Sequence, residues 1–471
     1  MISKIIIYIS FLIVHAMGYS QLKETKKYTL NECIDIALEN NLDLKSTILN
    51  TNTTKVNYAQ AKGNILPSLN GNYNIGVNNG RSIDPFTNDF INQELTFSNA
   101  QLSLDMTIFN GFRLLNTARQ QQLSKKAADM EILEAQQTLI LNVTLAYLQV
   151  LNNTDVLALT KARLEATKKQ YKRQEDLYAE EFGNPADFAD IKGQKTIDET
   201  AILTAESNLN NATLELGRLM NMDQLFSIDS ASILLAFEAY NFSSDDVFND
   251  AMQNLATFKA KELRAKAAKK GIKVAKAQYI PEVSFFGRIN TNYSSIAETF
   301  LETGSSIQET GDFVTINNED ISVLTNQTEF RGEDIDYLDQ FDNNLNTVVG
   351  IAVDIPLFNG FTAKNNVALE KIKAEESLIE LERTTQNIKN AITQVHFDMQ
   401  RAYNRHQSLL NQVTAFEESY RINEIRFTNG VSNFLAYITS KNNLDTAKMN
   451  LSNAKYQYLL RVKILEFYRG E

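Results

Sequence analysis

Leu102–Phe112 reads LSLDMTIFNGF, and 249 residues later Ile351–Phe361 reads IAVDIPLFNGF. In each copy an alternating apolar run carries an Asp, ends in Phe-Asn-Gly-Phe, and gives way to a long helical pattern. A second pair lies upstream. Ile34–Lys45 (IDIALENNLDLK) matches Phe248–Lys259 (FNDAMQNLATFK), and Ala61, Lys62 and Pro67 match Ala275, Lys276 and Pro281, all at a spacing of 214. Duplication on this scale sets the architecture. The chain reads as one helix–strand–strand–helix unit written twice, over 21–243 and 244–471.

The 471 residues include only 5 Pro and no Trp. An interior Pro costs a helix about 3 kcal/mol, so this scarcity suits long helices. Neither Pro nor Gly interrupts 113–178 or 362–429. The pattern predicts long helices over 113–179 and 362–429, each roughly 100 Å at 1.5 Å per residue. Breaks at Phe182-Gly183-Asn184-Pro185 and Asn429-Gly430 precede return helices at 186–220 and 432–468. Half-length helices are expected at 30–66, capped by Thr29 or Asn31, and at 244–279, with an equatorial link over 221–243. Within 139–150, Leu139, Val143, Ala146 and Val150 form one apolar seam, and Leu141, Leu145 and Leu148 form a second. Two seams suit a helix with neighbours on both sides, as in a closed cylinder; a plain four-helix bundle explains the stripes too, but not the attached alternating strands.

Two hairpins are expected, at 69–109 and 283–358. Leu69, Tyr73, Ile75 and Val77 alternate with Asn70, Asn72, Asn74 and Asn78, and Leu102, Leu104, Met106 and Ile108 with Ser103, Asp105 and Thr107. In the second half 283–293 and 347–357 repeat the arrangement, with Val349, Ile351, Val353, Ile355 and Leu357 on the apolar side. Runs of about ten residues, apolar outward and polar inward, are the mark of outer-membrane barrel strands. A half-buried soluble sheet alternates too. What decides between them is the row of Asn, which suits a water-filled lumen, together with an export signal. MISKIIIYISFLIVHAMGYS places one Lys before an apolar run from Ile5 to Val14, then Gly18 and Ser20, and so reads as a signal peptide over 1–20. Four strands cannot close a barrel, for which about eight are needed. An open sheet edge in lipid leaves backbone groups unsatisfied at several kcal/mol each, so other copies of the chain must complete the barrel.

Other chemistry is thin. Cys33 is the single cysteine, so no internal disulfide exists and packing is its expected role. The three His show no metal-ligand spacing. Of the net charge of −11, the 293–345 segment carries 12 acids against Arg331 alone, or −11, leaving the remainder near neutral. No basic footprint for nucleic acid exists. There is no Ser/His/Asp order and no phosphate loop, which argues against an enzyme.

The chain resembles the TolC-type outer-membrane efflux proteins over essentially its whole mature length. The residues that carry the resemblance are Leu30–Asn41, Ala61 through Leu69, both Phe-Asn-Gly-Phe turns with Asp105 and Asp354, and Asn429-Gly430 followed by Phe434-Leu435. The resemblance implies a mainly helical fold with a β-barrel part. In a homotrimer, four strands per chain would make one 12-stranded barrel in outer-membrane lipid, above a periplasmic α-barrel of long antiparallel coils. It further implies a passive exit duct, without catalysis or cofactor, for substrates delivered by an inner-membrane transporter and a periplasmic adaptor that docks on the helical tips.

On that basis Gly183, Asn184, Pro185, Asn429 and Gly430 are expected adaptor contacts. In the family, acids past a helical turn line the entrance. Here Ala436 and Thr439 stand after Gly430, whereas Asp187 and Asp190 follow the first break. In a trimer these two would give six carboxylates favouring cations; a solvated first helical turn also favours Asp. Asp105 and Asp354, with Asn110, Gly111, Asn359 and Gly360, mark the strand-to-helix rim, where the Asp residues cap helices or bond a neighbour. The acidic 293–345 segment is expected to be an extracellular loop, far longer than the 80–94 loop, that shields the mouth, binds divalent cations or is merely solvated. A structural or adhesive coiled-coil surface protein anchored by its strands is the competing function. It leaves unexplained why both halves return to the membrane at the same spacing.

Overall fold

The computed structural model describes residues 27–83, 88–92, 94–222, 226–229, 237–317 and 319–470. The expected signal peptide and parts of the equatorial link fall outside them. In chain order the first half comprises β1 (Lys27–Tyr28), α1 (Leu30–Asn40), α2 (Leu42–Gly63), β2 (Ser68–Asn78), β3 (Arg81–Ile83), β4 (Phe90–Asn92) and β5 (Leu95–Phe109). It continues with α3 (Arg113–Ala179), α4 (Pro185–Met220) and β6 (Ser227–Ile228). The second half comprises α5 (Ser244–Asn254), α6 (Ala256–Lys276), β7 (Glu282–Ser294), β8 (Glu298–Ile316), β9 (Glu319–Asp334) and α7 (Tyr337–Asn343). It ends with β10 (Asn346–Asp354), α8 (Thr362–Thr428) and α9 (Phe434–Arg469).

The chain forms two compact units. A helical one takes residues up to 55, 123–265 and 375–471; a sheet-bearing one takes 56–122 and 266–374. In the helical unit, caps recur at the 214 spacing. Thr29 with Glu32 and Ser243 with Asp246 each make a capping box, in which the hydroxyl takes the third amide and the carboxylate returns to the cap's own amide. The expected half-length helices are each broken, at Asn41 and at Leu255, where the backbone becomes extended for one residue. Neither position is Pro or Gly, so the pattern gave no warning. At Asn41 the side chain closes the gap, accepting from the Leu44 amide at 2.9 Å and donating to Leu219 O at 3.0 Å.

The helical core buries Val143, Leu148 and Val150 of α3 with Leu216 and Met220 of α4 and Ile392 of α8. Tyr147, fully buried between the two seams, donates its hydroxyl to Asp229 O at 2.8 Å and lies 3.2 Å from Tyr28 O, tying down the parallel β1–β6 pair. Cys33 is buried, and burial, with the Glu32 charge beside it, pushes its thiol up to about 12, far from reactive thiolate character.

The sheet unit holds one four-stranded antiparallel sheet in the order β10–β7–β5–β2. Directly paired residues share a face, so the register puts Leu69, Ile75, Leu102, Ile289, Val349 and Ile351 on one side and Asn70, Asn72, Asn74, Ser103 and Asp105 on the other. The apolar side is bare: Leu69, Ile75, Val349 and Ile351 are 63–67% exposed. Among the described residues β2 and β10 are the outer strands of this sheet. β10 stops at Asp354, short of the expected Leu357, because Pro356 lacks the amide a ladder needs. The 293–345 segment is also ordered beyond expectation. It is a two-stranded antiparallel ribbon, β8–β9, followed by the short helix α7. Among the described residues no helix is long and apolar enough to cross a membrane, and no group of three or more His, Cys, Asp or Glu could hold a metal ion.

Candidate functional site

In the sheet unit, both Phe-Asn-Gly-Phe turns solve one problem, turning a strand straight into a helix. Gly111 and Phe112 have φ of 63° and 62°, and Gly360 and Phe361 have 60° and 63°. Two successive left-handed residues reverse the chain, and Gly takes the first without steric cost. Asn110 and Asn359 then cap the helices. Their carbonyls accept from the Arg113 and Thr362 amides at 3.1 and 3.2 Å, and their side-chain oxygens from the Leu114 and Ala363 amides at 3.3 and 3.5 Å. The flanking Phe rings meet edge to face, Phe109 with Phe112 at 5.4 Å and Phe358 with Phe361 at 5.5 Å.

Capping therefore falls to the Asn residues and not to Asp105 and Asp354. Each Asp stands five residues before its Asn, still in its strand and on the polar face. Asp354 instead joins Asn110, Arg113, Glu282 and Asn359 around a cavity of about 230 Å³. Arg113 pairs with Glu282 at 2.7 Å, and Thr107 donates to the same carboxylate at 3.2 Å. Asp105 does not line this cavity.

In the helical unit the structure brings the two expected tips together. α3 ends with Phe182 N donating to Leu177 O at 3.0 Å. A Cβ on Gly183 would come within 2.8 Å of Tyr178 N, so only Gly fits there. Asn184 caps α4 through the Ala186 amide at 3.0 Å, and Pro185 opens the helix. At the other tip Gly430 takes φ of 73°, and Asn433 caps α9 through the Ala436 amide at 2.9 Å. Asn184 and Asn433 stand 249 residues apart, as do Phe188 and Tyr437, and Tyr171–Glu175 and Tyr420–Glu424, each a Tyr hydroxyl donating to Glu one turn on. An aromatic cluster seals the tips: Ile191, Phe434 and Tyr437 are buried among Tyr171, Phe188, Tyr420 and Phe427. Arg173 crosses from α3 to Thr428 O at 3.3 Å.

Asp187 lies in the first turn of α4, with Asp190 one turn on. Partial burial, then the Asp190 charge, raise its carboxyl above the usual carboxylate range. Deeper in the same unit is a group that motif spacing did not reveal. Asp198, completely buried, pairs with Arg163 at 2.8 Å and accepts from Thr167 Oγ1 at 2.6 Å and Gln194 Nε2 at 2.8 Å. Arg163 also lies 3.8 Å from Asp445 of α9, which pairs with the buried Lys441 at 2.8 Å. One signal was available: the 249 spacing, carried from the Phe-Asn-Gly-Phe turns to the tips, picks out the aromatic and capping residues.

This fold is matched by known proteins. A model of the outer membrane efflux protein family matches 33–222 and 247–471. The chain belongs to that family. The outer membrane protein TolC of Escherichia coli strain K12 is 21% identical over 453 residues, 94% of this chain and 82% of TolC. The toxin and drug export protein A of Aggregatibacter actinomycetemcomitans is 20% identical, over 92% of this chain and 84% of its own. Among solved structures, the Vibrio cholerae outer membrane protein VceC aligns with a TM-score of 0.73 at 16% identity, covering 94% of this chain and 96% of its own. The open-state Neisseria gonorrhoeae MtrE channel gives 0.72 at 16%, covering 94% and 88%. The protein is thus an efflux channel of the outer membrane, with its helical part in the periplasm.

Proposed function

We propose that three copies of the chain assemble into one duct, each adding its four-stranded sheet to a common barrel of twelve strands and its coils to a periplasmic tunnel. The observation that carries this is a bare apolar sheet face in a sheet that, among the described residues, ends at β2 and β10. In lipid those edges cost several kcal/mol per unmet group, a penalty that pairing with neighbouring copies removes. On this reading each sequence half supplies one hairpin and one coil. The Phe pairs anchor the lower membrane boundary, and Asp105 bonds a neighbouring copy. A periplasmic adaptor docks on the tips at Gly183, Asn184, Pro185, Asn429 and Gly430, and an inner-membrane transporter supplies cargo and energy. The duct itself performs no chemistry. Asp187 and Asp190 would ring its entrance, and the Arg163–Asp198–Asp445 group would hold the coils closed.

Light scattering on purified protein in detergent, with single-channel recording in planar bilayers, tests the assembly. A trimeric mass with a gated, cation-preferring conductance is expected. A monomeric mass, or a silent bilayer, would leave the adhesive alternative standing.

A further inference from the structure

The β8–β9 ribbon is the largest feature that the duct does not use. Its strands pair with one another from Glu298↔Asp334 to Ile316↔Glu319, and among the described residues they form a two-stranded sheet. An isolated two-stranded ribbon is marginal in water. Exposed edges are blunted by charges, Pro or bulges; here neither strand contains Lys or Pro, and β8 has bulges only near 302–304 and 309–313, which leaves the 324–334 side of β9 unbroken.

The register sorts the stem of the ribbon into two unlike faces. Phe300 lies opposite Gly332, Glu302 opposite Phe330, Ile307 opposite Asn326, and Glu309 opposite Leu324. Because β9 runs without a bulge, its residues 324, 326, 330, 332 and 334 share one side, and their partners share it too. That side therefore carries Phe300, Ile307, Leu324 and Phe330, which are 58–72% exposed. Glu298, Glu302, Glu309 and Asp334 are interleaved with them, and the ribbon's one base, Arg331, is on the other side opposite Leu301.

We propose that this face is a docking surface for a basic, apolar segment of a partner protein, laid along the ribbon with its Lys or Arg set against the four carboxylates. The charge selects the occupant. The ribbon holds nine acids and one base, a net −8. A second copy would press like charges together, and an anionic lipid surface would do the same. A cationic strand meets both needs, covering the apolar row and pairing the acids, and it can add backbone bonds along an open edge.

The test uses the full chain, purified in detergent, and fluorescent peptides of alternating Leu and Lys, Leu and Glu, or Ser and Lys. The Leu/Lys peptide should bind at least tenfold tighter than either of the others. Its affinity should drop at least tenfold both in the apolar variant (Phe300→Ser, Ile307→Ser, Leu324→Ser, Phe330→Ser) and in the charge variant (Glu298→Gln, Glu302→Gln, Glu309→Gln). The charge variant changes no apolar contact, so it decides the matter even if the fourfold variant fails to fold. Several results would overturn the idea: equal binding of Leu/Lys and Ser/Lys peptides, unchanged affinity in the charge variant, ribbon-dependent flotation with anionic vesicles, or a ribbon-dependent rise in oligomer size.

Discussion

The coil made by α3 and α4 and the coil made by α8 and α9 use the same positions in opposite ways. Arg163, Thr167 and Asp198 of the first have counterparts 249 residues on in Gln412, Phe416 and Ala447. In the first coil these are an ion pair with a hydroxyl donor, with Asp198 fully buried. In the second, Ala447 is buried with Val413 and Leu444 against Phe416, Tyr420 and Leu451. At these matched positions one seam carries charge and the other dry packing, although Lys448 of α9 also pairs with Glu417 of α8 at 2.9 Å. A buried pair fixes register at little net gain in stability, whereas apolar packing stabilises without directional demands. If one coil moves against its neighbours, the first has the discrete contacts that break and re-form.

Converting one seam into the other is the sharpest way to break this comparison. Arg163→Ala leaves the Asp198 carboxylate buried and unpaired, at a cost of about 3–5 kcal/mol. Adding Asp198→Ala, the residue of the other coil, should recover most of that loss in thermal or denaturant unfolding. A double variant as unstable as the single one would show that the ion pair is not the source.

The strand-to-helix turns offer a second contrast, between matching backbones in unlike surroundings. A Cβ on Gly111 would lie 2.8 Å from Ile280 Cβ, whereas one on Gly360 meets nothing within 4 Å. Gly360→Ala should cost only the left-handed backbone penalty of about 1–2 kcal/mol. Gly111→Ala should add overpacking of about 1–3 kcal/mol. Equal losses in melting experiments would mean that Ile280 yields freely.

The smallest effect belongs to the acids that only the first tip carries. The carboxyl of Asp187 is raised, so the folded state favours its neutral form, and that stabilisation is lost as pH rises through the raised value. Asp187→Asn should therefore be slightly more stable than the unmodified chain at pH 7, with the difference vanishing in acid. In planar bilayers it should also weaken cation preference. A stability difference that grows on acidification would reverse the sign assigned here.

Much of this was legible in the residue order. The long Pro- and Gly-free spans declare helices, and the Leu/Asn alternation declares strands and their two faces. Three features were hidden for physical reasons. The breaks at Asn41 and Leu255 use ordinary residues, so no propensity marks them. The ribbon reads as an acidic loop because bulges near 302–304 and 309–313 shift its alternation, and Gly304 and Gly311 look like turn residues. Asp198 reads as one more acid on an amphipathic helix. Its partners on α3, Arg163 and Thr167, lie 35 and 31 residues before it, and only packing brings them near.

The order of the sheet also carries a history. Leu69 pairs with Leu104, a separation of 35 residues, whereas Leu102 pairs with Ile289 across 187. Closing the longer loop costs about 1.5 kcal/mol more in chain entropy. The β2–β5 hairpin and the β7–β10 pair can therefore form early, while the β5–β7 seam waits for the intervening coil to shorten the path between them. Until that seam zips, each hairpin presents open edges on both sides. The interval between making the hairpins and joining them is when the chain is most exposed to mispairing.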